Sequence, residues 1–219
     1  YMPFGVDLDT FENKVFVSLV GFQFRKSSIF GLPIPWFGSF EEVNLRFYVK
    51  RKVGADEKRG VVFISESVPS KMVYFLANTL YKEHYSDAKM KSKITVEKDK
   101  KKIRYDWFAK KKNNVLAISC LQKTENIQPN SLEEFIYEHY YGYTKVSESE
   151  TWEYKVNHPR WQTNEVVQSE IHCDFAQMYG TAFACLNKQP PLSVYHAIGS
   201  SVTIDWKINK LNKSTYGTT

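Results

Sequence analysis

The chain has 219 residues, of which 42% are hydrophobic and 16% aromatic, and this composition excludes general disorder because it can bury a sizeable core. Lys and Arg outnumber Asp and Glu by 30 to 24, and the net charge of +6 permits an anionic partner without requiring one. No apolar run approaches the ~20 residues that cross a bilayer, so we expect no membrane partner. The lysine runs fall at predicted turns rather than along a helix, and we therefore expect no nucleic-acid partner.

Three cysteines, Cys120, Cys173 and Cys185, form no close pair in the sequence. An odd number of cysteines without a CxxC motif is typical of a reducing compartment, so the predicted location is cytoplasmic. His172 stands next to Cys173, but no second pair of ligands follows at a useful spacing, and we predict no metal site. No phosphate-binding or dinucleotide-binding loop is present, and we expect no cofactor.

Alternating and apolar patterns predict a chain that is dominated by strands. The first predicted strand, Lys14 to Phe24, is apolar on both faces, which is typical of a central strand covered on both sides. Asn113 and Asn114 are predicted to form a tight turn between two later strands. Further strands are predicted at Glu42–Lys50, Val61–Glu66, Lys93–Lys98, Ile103–Phe108, Val115–Leu121, Thr151–Val156, Thr163–His172 and Val202–Ile208.

Helices are predicted at Pro69–His84, Ser131–Tyr141 and Asp174–Leu186. Pro69 suits a first helical turn, and Ser131 with Glu134 forms a capping box. These elements predict an α+β fold of mostly antiparallel β structure, in which a curved sheet or barrel surrounds a cavity and two or three helices flank it. We expect residues 1–210 to form a single domain and residues 211–219 to form a flexible tail.

One predicted strand carries polar side chains at alternate positions. Its polar face holds Glu42, Asn44, Arg46 and Tyr48, whereas the opposite face is apolar. Two interpretations stay open. The strand belongs to an ordinary sheet with one face in water, or the polar face looks into a cavity, where these four residues bind a ligand and Arg46 holds a carboxylate with its bidentate fork.

Three other residues are candidates for catalysis. Glu66 ends a short buried strand, and Lys71 lies in the first turn of the first predicted helix. A desolvated lysine can form a Schiff base, although an ordinary surface lysine fits the same pattern. His139 is predicted on the inward face of its helix, where it is either a general acid or base or a core histidine with one hydrogen bond.

Short segments along almost the whole chain together resemble one known family. They are YMPFGVDLDTF at 1–11, VFVSLVGF at 15–22, GLP at 31–33, FEEVNLRFYV at 40–49, GVVFISESVP at 60–69, EEFIYEHYYGYT at 133–144, HPRW at 158–161 and CDFAQMYG at 173–180. The family is the YqjF-like proteins, a bacterial family of unknown function. Its members carry a short segment before the equivalent of Tyr1, so the resemblance implies a preceding segment, and whether that segment completes the pocket stays open.

The resemblance also implies the fold of acetoacetate decarboxylase, with a curved sheet around an apolar pocket. That enzyme uses two adjacent lysines after a proline, the first of which forms an imine with the keto acid. The similar stretch here is Pro69-Ser70-Lys71, in which Ser70 replaces the imine-forming lysine. The stretch Phe40-Glu41-Glu42 is similar to the one that supplies an active-site glutamate. The family resemblance therefore favours the pocket but not lysine-imine decarboxylation.

We expect a protein that binds, or binds and transforms, a small organic acid or carbonyl compound, and whether it is an enzyme stays open. The alternative is a non-catalytic interaction or regulatory module on the same fold. That alternative predicts an interior filled by the protein's own side chains, such as Phe22, Phe24, Phe63 and Trp107. A homo-oligomer that pairs through a sheet edge also remains open.

Overall fold

The computed structural model describes residues 1–25, 28–29, 32–33, 39–69, 84–205 and 207–213. Its strands are β1 Asp7–Leu8, β2 Val17–Arg25, β3 Ser28–Ile29, β4 Leu32–Pro33, β5 Ser39–Val53, β6 Asp56–Pro69, β7 Tyr85–Val96, β8 Lys100–Ala109, β9 Lys112–Asn126, β10 Tyr141–Lys145, β11 Glu150–Asn157, β12 Gln162–His172, β13 His196–Ala197, β14 Thr203–Ile204 and β15 Asn209–Asn212. The helices are α1 Leu132–Tyr137 and α2 Phe175–Tyr179, and a 3₁₀ helix follows at Thr181–Asn187. Among these residues, no helix has the length and apolarity that a membrane crossing requires.

Strand β6 organises a sheet that contains thirteen of the strands. One edge of β6 pairs antiparallel with β5, which in turn pairs with β1 and β2. The opposite edge is shared by two parallel partners: Gly60 and Val61 pair with β10, whereas Glu66–Pro69 pairs with β7. An antiparallel series β7–β8–β9–β12–β13 leads away from one partner, and β11, β14 and β15 follow the other. The sheet is therefore mixed and divided in two at β6.

The predicted closure into a barrel is wrong, because the described sheet folds over on itself without joining its strands into a ring. Strand β2 packs on β8 so closely that a Cβ at Gly21 would lie 2.9 Å from the ring of Tyr105. Strands β5 and β7 meet through side chains, since Ser92 Oγ donates a hydrogen bond to Glu41 Oε1 at 2.7 Å. In the described ranges these layers contact through side chains rather than a backbone ladder.

The main hydrophobic core lies between two layers of the folded sheet, one with β5 and β6 and the other with β7, β8 and β9. Its β5 members come from the apolar face that the sequence predicts, and α2 covers one end of the core. The buried residues that form it include Val43, Leu45, Phe47, Val49, Val62, Ile64, Ile103, Tyr105, Trp107, Met178, Tyr179 and Leu211. Because Leu211 is buried and belongs to β15, the tail boundary predicted at residue 211 falls inside a strand.

Two glycines allow β10 to approach β6 and β11. A Cβ at Gly60 would lie 2.5 Å from the carbonyl oxygen of Tyr141, and a Cβ at Gly142 would lie 2.0 Å from the ring of Tyr154. Tyr154 is the cross-strand partner of Gly142, and its ring lies over the space that a side chain at 142 would fill. Close backbone approach at Gly60 and the ring of Tyr154 at Gly142, and not an unusual backbone conformation, therefore require glycine at these positions.

A buried carboxylate holds this part of the sheet together. Glu153 on β11 accepts hydrogen bonds from Arg51 Nε at 2.8 Å, Lys58 Nζ at 2.8 Å, Tyr143 Oη at 3.0 Å and Asn209 Nδ2 at 3.1 Å. Burial alone would raise the pKa of Glu153, but hydrogen bonds from these partners outweigh it and lower the pKa to about 2. The carboxylate thus links β5, β6, β10, β11 and β15.

The first predicted strand and the predicted asparagine turn differ from the structure. The strand predicted at Lys14–Phe24 is not central: within the described residues β2 pairs only with β5. Leu19, on one face of β2, packs against the main core. The turn predicted at Asn113 and Asn114 lies instead at Lys110 and Lys111, with φ of 46° and 63°. This left-handed turn is held by α2, because Lys110 Nζ donates a hydrogen bond to the carbonyl oxygen of Met178 at 2.7 Å.

The helical predictions are correct in part. α1 begins after Ser131, whose Oγ accepts a hydrogen bond from the backbone N–H of Glu134 at 3.1 Å. It ends at Tyr137 rather than Tyr141, because the backbone N–H of Tyr140 donates to the carbonyl oxygen of Arg59 on β6 and Tyr141 begins β10. The residues predicted as the first helix lie mostly outside the described ranges, although Pro69 itself ends β6 and not a helical turn.

Gly142→Ala should lower the free energy of unfolding by about 1–3 kcal/mol, because the methyl group displaces the ring of Tyr154. Chemical denaturation measures this change. The control is a double-mutant cycle: in a Tyr154→Ala background, Gly142→Ala should cost much less. If Gly142→Ala lowered the free energy of unfolding equally in both backgrounds, the proposed contact with Tyr154 would be contradicted.

Glu153→Gln should lower the free energy of unfolding at pH 7 by about 3 kcal/mol, because it leaves the half-buried charges of Arg51 and Lys58 without their carboxylate. The stabilisation by Glu153 is complete above its unfolded pKa of 4.5 and is lost as the pH falls towards about 2. The difference between the two proteins should therefore shrink over that range in urea titrations. Glu148→Gln, which changes an exposed carboxylate, should have little effect at any pH.

Candidate functional site

The residues that the sequence singles out on β5 lie together on the face opposite the main core. We call Glu42, Asn44, Arg46 and Tyr48 of β5, with Glu66 of β6, the β5 polar cluster. Glu66 is the cross-strand partner of Asn44, which is why the two strands bring these side chains to one place. All members except Arg46 are buried, with exposed fractions of 7% or less. β5 therefore does not expose its polar face to water, because other parts of the protein cover that face.

The side-chain carboxyl group of Glu42 is held in the cluster by hydrogen bonds. Asn44 Nδ2 donates to Glu42 Oε1 at 2.8 Å. Burial raises the pKa of Glu42 to about 6, although hydrogen bonds from Asn44 and Glu66 and the charge of Arg46 act in the opposite direction. Two neighbouring buried carboxyl groups cannot both ionise without a large cost, so the pair retains a proton at mildly acidic pH.

Arg46 is the partly exposed member of the cluster, and its fork is open. Its Nε is buried and has no hydrogen-bond acceptor in the part of the chain that the structure describes. The guanidinium carbon lies 5.7 Å from the centroid of the Tyr48 ring. Tyr48 is held in place because its hydroxyl shares a 2.7 Å hydrogen bond with Ser18 Oγ. Arg46 is therefore positioned by its neighbours, while its Nε has no acceptor among the described residues.

His139 lies beside the cluster, where the residues after α1 cover β5. Its ring centroid is 4.7 Å from that of Tyr48, and Nε2 lies 3.1 Å from Asp9 Oδ2. Burial lowers the pKa of His139 to about 4, so the ring is neutral at pH 7. Because the Asp9 carboxylate can only accept, the single ring proton is on Nε2 and Nδ1 is left as an acceptor. Among the described residues Nδ1 has no partner.

Asp9 is a residue that the sequence analysis did not single out. Burial alone would raise its pKa, but hydrogen bonds from His139 and Arg59 lower the pKa to about 2. Arg59 Nε donates to Asp9 Oδ2 at 2.7 Å, and the backbone N–H of Thr10 donates to Oδ1 at 2.9 Å. The signal in the sequence is weak, because Asp9 and His139 are 130 positions apart and only the folded chain joins them.

A second constellation, Cys120, His196 and Asn164, has the residue types of a cysteine protease but not the geometry. His196 Nδ1 lies 3.8 Å from Cys120 Sγ and 3.0 Å from Asn164 Oδ1, so one nitrogen would have to serve both partners. A catalytic triad uses the two ring nitrogens separately. Burial also raises the pKa of the Cys120 thiol, which opposes thiolate formation. Within the described ranges, no three His, Cys, Asp or Glu side chains form a group that could hold a metal ion.

A cavity of about 220 Å³ opens where the two partners of β6 diverge. Its lining residues are Tyr1, Val62, Phe63, His84, Tyr143, Thr144 and Lys145. It is separate from the β5 polar cluster, since none of the five cluster residues lines it. Lys71 and Ser70 lie outside the described residues, so the structure neither joins them to the cluster nor separates them from it.

The model of the family DUF2071, described as an uncharacterized conserved protein, matches residues 1–200. No curated protein matches the chain.

Glu42→Gln should make the protein more stable at pH 8 by about 1–2 kcal/mol. The shift of the Glu42 pKa from 4.5 to about 6 means that the folded state binds this proton more tightly, so ionisation above pH 6 weakens folding. The glutamine keeps the oxygen that accepts from Asn44 and removes the charge. Urea denaturation at pH 4 and pH 8 measures the effect, with Glu165→Gln on the exposed side of β12 as the control. A less stable Glu42→Gln protein at pH 8 would contradict this account.

Proposed function

The chain belongs to the DUF2071 family of uncharacterized conserved proteins, and we propose that it binds a small organic acid at the β5 polar cluster. The observation that carries this proposal is the open guanidinium of Arg46, with a buried Nε that has no acceptor among the described residues. Burial of a donor without a partner costs about 1–3 kcal/mol, and a carboxylate ligand would supply the missing acceptor. The planar fork of arginine matches a carboxylate in bidentate geometry.

The charges around Arg46 favour a ligand with a single negative charge. Arg46 is the only cation within the five-residue cluster, and the carboxyl groups of Glu42 and Glu66 lie on the same face. A ligand with two or more negative charges would meet the ionised carboxyl of Glu42 above pH 6. A monocarboxylate brings a single negative charge and is repelled less by Glu42, and partial exposure of Arg46 gives it a route from the surface.

The family resemblance, the related fold, the cellular location and the role of His139 are parts of the same proposal. The sequence segments support a YqjF-like protein with a fold related to acetoacetate decarboxylase, and the free cysteines support a cytoplasmic location. We propose binding rather than lysine-imine decarboxylation, because Ser70 stands where the imine-forming lysine is expected. His139, oriented by Asp9, is the residue that we propose for hydrogen bonding beside the ligand.

The alternative, a non-catalytic interaction module, has one observation in its favour. Trp107 fills the interior between the layers and is 2% exposed, as that alternative predicts. Phe22 and Phe24 differ, because both are half-buried and Phe24 stacks on Phe40 at a centroid distance of 4.7 Å. Trp107 thus agrees with the interaction module, whereas the unpaired hydrogen-bonding atoms of Asn44 and Arg46 lie on the other face of β5.

Arg46→Gln should weaken the binding of short carboxylates by about 10–100-fold, because it removes the charge and the fork. Thermal shift and calorimetry with short acids and their methyl esters measure this effect, and the esters should not bind. Arg46→Lys keeps the charge without the fork and should bind with intermediate affinity.

Arg104→Gln is the matched control, because Arg104 is an exposed arginine that pairs with Asp106 and Glu170 away from the cluster. It should leave carboxylate binding unchanged. Equal binding by the wild type and Arg46→Gln would remove the role of Arg46. A flat response of the wild type to all acids would favour the interaction module.

A further inference from the structure

The unpaired atoms of the β5 polar cluster also indicate which hydrogen-bonding groups a ligand must carry. Asn44 Oδ1 is a buried acceptor without a partner in the described residues, and Arg46 Nε is a buried donor without one. Asn44 is fully buried, with an exposed fraction of 0%, so an unpaired Oδ1 is costly unless a donor is buried with it. A ligand that satisfies both atoms must carry an acceptor for Arg46 and a donor for Asn44.

The orientation of the Asn44 amide is set by its neighbour. Its Nδ2 donates to Glu42 Oε1 at 2.8 Å, and a carboxyl oxygen is a better partner for the amide nitrogen than for the amide oxygen. Oδ1 therefore faces away from Glu42. An amide oxygen accepts hydrogen bonds and never donates them, so only a ligand group with an O–H or N–H can pair with it.

The spacing of Asn44 and Arg46 suits a short molecule. The two residues alternate on one face of β5, and their register with Val20 and Ser18 of β2 has no bulge. Residues two apart on a strand are separated by about 6.7 Å. A ligand that reaches both side chains therefore has only a short distance to span.

We propose that the ligand is a short hydroxy acid, whose carboxylate binds Arg46 and whose hydroxyl donates a hydrogen bond to Asn44 Oδ1. This inference rests on the proposed function, because it names the class of acid that the same site selects. A keto acid of equal length offers only a carbonyl oxygen to Asn44, and two acceptors face each other. An unsubstituted acid leaves Oδ1 unpaired. The site should thus select hydroxy acids over both.

The test compares acids of equal length on the wild-type protein by calorimetry. One set is lactate, pyruvate and propionate, and the other is 2-hydroxybutyrate, 2-oxobutyrate and butyrate, with 3-hydroxybutyrate added. In at least one set the hydroxy acid should bind at least tenfold more tightly than the keto acid and the unsubstituted acid. Asn44→Leu, which is similar in size and cannot accept, should abolish this preference while carboxylate binding through Arg46 remains. Circular dichroism checks that the variant is folded.

The outcomes separate the inference from the proposed function. If all acids bind with similar affinity and binding depends on Arg46, the site binds carboxylates but the preference for hydroxy acids is wrong. If the keto acids bind most tightly, that preference is also wrong. If none of the seven acids binds, both the proposed function and the hydroxy-acid inference are overturned. Because the comparison uses the wild type, it does not depend on how well Asn44→Leu folds.

Discussion

The fold depends on one buried carboxylate more than on any other polar group. Glu153 accepts hydrogen bonds from side chains on four other strands, and two of these, Arg51 and Lys58, carry a charge that balances its own. A carboxylate in this position would be costly if any partner were missing, because buried charges are tolerated only when they are paired. The network therefore fixes β10 and β11 against β5 and β6, and with them the segment that brings His139 over β5.

The β5 polar cluster lies on β5 and β6, which also carry Arg51 and Lys58, but its polar groups are not all paired. Around Glu153 every charge has a partner, whereas Arg46 and Asn44 retain buried atoms without one among the described residues. Glu42 has a raised pKa and Glu153 a lowered one, although both are buried glutamates. Sites that bind ligands commonly carry such unsatisfied groups at the expense of stability. The contrast agrees with the binding proposed at β5 and with a structural role for Glu153 on β11.

The sequence predicts local features well and long-range features poorly. Alternation on β5 correctly groups Glu42, Asn44, Arg46 and Tyr48, and the capping residue Ser131 marks the start of α1. Neither pattern reveals what covers a face, so burial of the polar side could not be read from β5 alone. The parallel pairing of β10, the contact of His139 with Asp9 and the failure of the sheet to close all involve distant segments. The turn at Lys110 depends on α2, which overrides the local preference of asparagine for such turns.

The shared edge of β6 also has a consequence for the order in which the chain folds. Antiparallel partners such as β5 and β6, or β8 and β9, are joined by two-residue turns and lose little chain entropy when they meet. The parallel contacts of Gly60 with β10 require a long loop to close, and topology of this kind slows folding. We expect the hairpins to form early and the junction at β6 to form late. Until it forms, the outer edge of β6 is an unpaired strand edge, where association between chains competes with folding.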